Sequence, residues 1–175
     1  MFQNYWILGF FIILIIACSE GDEITRDIDF EANLDSCGNN DTNDFVFYKV
    51  SDNRDELISF NFSSSTFDIN TFSAEDIVIN LTEQTNLLIY RKLTEGINPD
   101  TYFCSIIPPS ENNVDFELKS ISGAGVFQYV EVESTDTTLT FDRTLTMIGT
   151  SLNGEGISLR NEVILLGTQR LVQNK

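Results

Sequence analysis

The chain has 175 residues, 27 of them acidic against 10 basic, no histidine, and a formal net charge of −17 at pH 7. That length suits one domain rather than two, and 42% hydrophobic with 21% charged residues describes a folding chain, not a disordered one. So large an acid excess repels phosphate backbones, which speaks against nucleic acid as a partner, and it keeps the chain soluble.

The first segment, Trp6–Ala17, reads WILGFFIILIIA and carries no charge. As a helix it would rise about 18 Å, short of the roughly 30 Å hydrocarbon core, which is the size of a signal-peptide apolar segment and not of a membrane span. The four residues Ile15-Ile16-Ala17-Cys18 resemble a bacterial lipobox: an aliphatic residue at −3, a small one at −1, and the cysteine. The resemblance implies a lipoprotein signal peptide over residues 1–17, cleavage after Ala17, and acyl chains on Cys18 that attach the protein to a membrane. Two or three acyl chains hold durably where one holds only marginally. Ser19-Glu20-Gly21-Asp22-Glu23 is similar to the acidic export tag of Bacteroidetes surface lipoproteins, and residues 18–26 read as a lipidated acidic tether. A solvated spacer is the plainer account of that charge run.

Beyond the tether, residues 27–175 read as a single domain of short β-branched and aromatic runs separated by Asn, Asp, Ser, Gly and Pro. The expected strands are Ile28–Leu34, Phe45–Val50, Leu57–Phe62, Ile77–Leu81, Leu87–Leu93, Thr101–Ile106, Val114–Ser122, Val126–Glu133, Thr138–Ile148 and Glu162–Leu171. Several alternate with period two: Val114, Phe116 and Leu118 take one face, Asp115, Glu117 and Lys119 the other. Ser122-Gly123-Ala124-Gly125 and Asn153-Gly154-Glu155-Gly156 read as turns, Asn153-Gly154 being the stronger signal. Ser73-Ala74-Glu75-Asp76 could start one helical turn, Pro108-Pro109 stops the strand carrying Cys104, and Val172–Lys175 should fray. About ten short strands point to an all-β fold, a two-sheet antiparallel sandwich of immunoglobulin-like or jelly-roll type, with a small barrel as the alternative.

With Cys18 set apart, Cys37 and Cys104 remain, and one disulfide between them is the simplest expectation for an exported domain. Zinc lacks the ligands for a tetrahedron, and a catalytic cysteine or serine lacks its histidine base. The stretch CGNNDTND places Asn39, Asn40, Asp41 and Asp44 close together, oxygens that suit calcium but match no EF-hand spacing. Asx residues also populate any tight turn. No other cofactor is indicated. Asp136-Thr137-Thr138 is similar to the Bacteroidetes O-glycosylation motif, with Thr137 as acceptor. Tyr48, Tyr90, Tyr102 and Tyr129 lie in expected strands, as do Arg91 and Arg143, which either pair with acids across a sheet or mark a polar pocket.

Together the lipobox, the acidic tag and the segment FCSIIPPSEN (Phe103–Asn112) resemble small lipoproteins of flavobacteria. The resemblance implies bacterial origin, lipidation and an envelope location, and the acidic tag an outward-facing place on the outer membrane; an envelope protein or a glycan is the partner expected of such a domain. It carries no activity. The expectation is a non-catalytic binding or structural module; the alternative is a surface enzyme acting on complex carbohydrate through paired carboxylates.

Overall fold

The computed structural model describes residue 28, residues 30–105 and residues 114–175. The expected signal segment, the expected lipidation position Cys18, the stretch read as a tether and Pro108-Pro109 lie outside them. Eight strands form: β1 (Asp35–Asn39), β2 (Asp44–Val50), β3 (Glu56–Ser63), β4 (Ile77–Asn80), β5 (Leu87–Leu93), β6 (Val114–Ser134), β7 (Thr138–Gly154) and β8 (Ile157–Asn174). One short helix, α1 (Pro99–Cys104), precedes β6. All eight strands join one antiparallel sheet in the order β1-β2-β3-β5-β6-β7-β8, and β4 pairs with β6 further along the edge that β5 occupies. The all-β class is therefore observed; the strands form one curled antiparallel sheet, whose inner face encloses the core.

Alternation decides what lies inside the curl. Cross-strand rows such as Phe47–Phe60–Leu88, Ile58–Tyr90–Leu118 and Phe127–Leu145 place their side chains inward, where they are almost fully buried. Six phenylalanines (45, 47, 60, 62, 67 and 127) fill the centre in stacked, tilted and edge-on contacts, with ring centroids 4.8–6.3 Å apart. Each such ring contributes about 1.5–3 kcal/mol on removal from water, so the interior is a packed core. Gly125 makes room for one of them: a Cβ there would stand 2.6 Å from Phe60 Cε1.

Parity explains how the sheet meets itself. Seven strands alternate along the main path, so its first and last members, β1 and β8, run in the same direction. The observed contacts agree: Leu34 packs at Gly167, and Gln169 Nε2 donates to Leu34 O at 3.2 Å and Ser36 Oγ at 3.1 Å. Among the described residues no backbone ladder joins β1 to β8, and a single side-chain amide clasps the seam.

Several local expectations are corrected. Thr101–Ile106 is not a strand; α1 occupies Pro99–Cys104, because Asn98 caps it by accepting from Thr101 N at 3.1 Å and Pro99 stands in its first turn. Ser122–Gly125 is not a turn but a bulged stretch inside a continuous β6, with Gly123 at φ +120° taking up the irregularity. The next breaker does make a hairpin, but the positive-φ pair is Glu155 (+50°) and Gly156 (+74°), so Asn153 and Gly154 still belong to β7. Ser73–Asp76 forms bends fixed by the Ser73 hydroxyl, which donates to Glu75 O at 2.6 Å. Residues 30–34 are irregular rather than a strand, and β8 holds its register to Asn174 instead of fraying.

Candidate functional site

The seam pinched by Gln169 opens toward the far end of β1, leaving a groove of about 810 Å³. Its walls come from distant parts of the chain: Ser36 and Asn39 of β1, Asn61 of β3, Asn70 of the β3–β4 connection, Leu171 of β8, and Arg143 of β7. Amide and hydroxyl groups alternate there with apolar surface from Phe45, Ile69 and Phe103. Such a mixture suits a ligand with both apolar faces and hydrogen-bonding edges.

Arg143 is the least ordinary residue of this site. It faces inward on β7 and is 1% exposed. Its guanidinium donates through Nη1 to Ile69 O at 2.5 Å and through Nη2 to Gln169 Oε1 at 2.7 Å, and it lies 4.8 Å from the Phe47 ring centroid. These partners are neutral. Asp68 acts on it electrostatically without making an ion pair, and the Tyr129 hydroxyl is a polar neighbour that falls short of hydrogen-bond geometry with Nε. Burial pushes the guanidinium pKa below its ordinary value, and it raises that of Tyr129. The aromatic faces and fixed acceptors replace part of the lost hydration. Arg143 thereby ties β7, β8 and the residue-69 loop into one polar junction beneath the groove.

On the outer face of β1, β2, β3 and β5, α1 forms the other wall. Cys37 and Cys104 stand at disulfide distance, with Cα atoms 5.6 Å apart, as the cysteine count predicts. Phe103 stacks on Tyr48, and the Tyr48 hydroxyl lies 3.7 Å from Cys104 Sγ. Burial, followed by the negative charges of Asp35 and Asp100, pushes the Tyr48 phenol up to about 12. Further along this face Arg91 and Glu117 are direct cross-strand partners, bonded at 2.5 Å; Lys119 adds a second cation at 2.8 Å and Tyr102 accepts from Arg91 Nη1 at 2.8 Å. Arg91 thus pairs across the sheet, whereas Arg143 marks a polar pocket. Tyr48, Tyr90 and Tyr129 lie in strands and Tyr102 lies in α1.

The proposed calcium residues come together only as a hairpin tip. Asn39 Oδ1 accepts from Asp41 N at 2.8 Å, Asn40 Oδ1 accepts from Ile69 N at 3.3 Å, and Asp44 Oδ1 accepts from Ser63 Oγ at 2.6 Å. Asn43, at φ +58°, completes the turn. The oxygens of Asn39, Asn40 and Asp44 thus serve the turn and its docking to the β3–β4 connection, and among the described residues no three His, Cys, Asp or Glu side chains cluster. Thr137 is exposed at the β6–β7 turn, where its carbonyl accepts from Lys175 N at 3.0 Å. Sequence reasoning did not reach Gln169, Ser36 or Ile69; their only signal is spatial, because the groove joins positions more than a hundred residues apart.

No family model matches the chain, and comparison with curated proteins and with solved structures finds no similar protein.

Proposed function

We propose that this chain is a lipid-anchored protein of the bacterial outer membrane, surface-exposed, whose β domain binds a ligand or envelope partner and performs no catalysis. The attachment rests on Ile15-Ile16-Ala17-Cys18, and the Cys37–Cys104 pair supports an oxidising, exported setting. The observation that carries the binding half is the groove at the open end of the seam, with neutral hydrogen-bonding groups on its walls and a clamped arginine beneath. A rigid sheet holding a polar groove is a binding architecture. The groove lining contributes one carboxylate, Asp44, so it does not supply the facing pair that glycoside hydrolysis uses.

Two measurements test this reading. Labelled palmitate should enter the wild-type protein and not Cys18→Ser, which should leave the membrane fraction. A photo-crosslinking residue at Asn61, in the groove, should capture a specific envelope component that the same residue at Glu131 does not. Equal capture at both positions would remove the groove from the proposal.

A further inference from the structure

The opposite outer face carries a feature independent of the groove. Two adjacent cross-strand rows, Val78–Val126–Thr146–Leu165 and Asn80–Ala124–Ile148–Val163, run across β4, β6, β7 and β8. Neither row contains a charge. Four of its aliphatic side chains stand in solvent: Val163 is 67% exposed, Val78 54%, Leu165 52% and Ile148 41%. The outward face of an antiparallel sheet is ordinarily polar, so a contiguous aliphatic stripe there asks for a cover. The neighbouring row, Gln128–Thr144–Thr168, has no charge of its own, though the Asp76 carboxylate accepts from Gln128 Nε2 at 3.1 Å at its margin, and in the row after it Asp142 is paired with Arg170.

The chain enters the domain beside this stripe. Phe30–Asn33 line one cavity with Leu165, Leu166 and Gly167, Leu34 packs at Gly167, and Ile28 is already buried in the core. Only Ser19–Asp27 intervene between Ile28 and the lipid position at Cys18, a reach of at most about 35 Å.

The geometry points to a lipid bilayer as the cover: the domain lies with the outer face of β4, β6, β7 and β8 on the membrane that holds its anchor. This rests on the lipid-anchor reading of Cys18. A second copy is the poorer occupant, because four half-exposed aliphatic side chains offer much less than the roughly 800 Å² per partner of a stable interface, and each copy brings a charge of −17. An anchored domain needs far less surface, since the tether already supplies a high effective concentration at the bilayer. Anionic headgroups repel the acidic faces and leave the uncharged stripe as the face of closest approach.

The only tryptophan is Trp6, in the signal segment, so a single introduced indole reports its own depth. Lipidated protein carrying Leu165→Trp or Val78→Trp is reconstituted into phosphatidylcholine vesicles with and without brominated acyl chains. Emission should fall at least about twofold on the brominated vesicles at both positions, because interfacial side chains reach the acyl boundary. Thr101→Trp, on α1 at the opposite face, should be unaffected. Equal quenching at all three positions, or quenching at none, overturns the inference. So does protection of the stripe in a dimer that Val163→Asp dissociates, which would make the cover a second copy. Intact mass reads the acyl chains separately: acyl chains with no quenching reject the orientation alone, and a protein without them rejects the anchor and the orientation built on it.

Discussion

The Phe103 ring lies on the Tyr48 ring, centroids 4.1 Å apart and planes 15° from parallel, beside the Cys37–Cys104 pair. A six-residue helix has no stability of its own, so these contacts, together with the Arg91–Tyr102 hydrogen bond, keep α1 on the sheet. The two cysteines are 67 positions apart, and a bridge over such a loop contributes about 4 kcal/mol in the chain-entropy model. Replacing both cysteines by serine should lower the urea midpoint accordingly while far-ultraviolet dichroism keeps its β signature. Unchanged stability would show that the stacked rings suffice.

Tyr48 gives that clasp an alkaline limit. Its folded pKa, about 12, exceeds the ordinary 10.0, so the neutral phenol is the form the fold favours. The associated stability is complete below pH 10 and is lost as pH rises toward 12. Absorbance titration of tyrosinate should show late ionisation from Tyr48 and from Tyr129, and Tyr48→Phe should remove one of the two. The same variant should be less sensitive to pH in that window.

Arg143 separates charge from packing. Arg143→Ala leaves Ile69 O and Gln169 Oε1 without their donor and opens a void beside Phe47, a loss of about 3–5 kcal/mol. Arg143→Met keeps the contact with the rings and removes a buried charge, so it should cost about 1–2 kcal/mol less. Chemical denaturation decides it: equal losses would mean that the hydrogen bonds, not the packing, dominate.

Gly125 is set by the ring opposite. Gly125→Ala pushes a methyl into the edge of Phe60, whose neighbours are close-packed, and should destabilise by about 1–3 kcal/mol. Phe60→Leu in the same chain should recover part of that loss, a coupling readable in a double-mutant cycle. Additive losses would argue against the contact.

Period-two alternation made most strands legible, because Ile58-Ser59-Phe60-Asn61-Phe62 can bury one face only as a strand. Helix α1 was missed because Thr101, Tyr102, Phe103 and Cys104 are strand formers; the competing signal was upstream, in the Asn98-Pro99-Asp100 start. Strand β1 was missed because DSCGN is a polar edge with no apolar period, paired only by what β2 offers it. Gly123 was read as a turn although a bulge uses the same φ. The cysteine pairing followed from counting. The groove did not, since no periodicity relates Ser36 to Arg143 and Leu171; the curl alone brings them together.

The three longest strands have a bearing on how the molecule comes into being. β6, β7 and β8, of 21, 17 and 18 residues, follow one another through tight turns at Thr135–Thr137 and Glu155-Gly156, so their pairing demands almost no loop closure. The contact between Leu34 and Gly167, by contrast, must bring together the two ends of the domain. The β1-β2-β3 meander is joined by tight turns too, but its strands are only 5, 7 and 8 residues long, so less pairing holds it until β6, β7 and β8 have formed. Pulse-labelled exchange during refolding should therefore find the amides of Leu145 and Met147 protected before those of Phe47 and Phe60. The last event should then be the clasp of Gln169 on Leu34 and Ser36, which fastens the first residues of the domain to a scaffold made by its last.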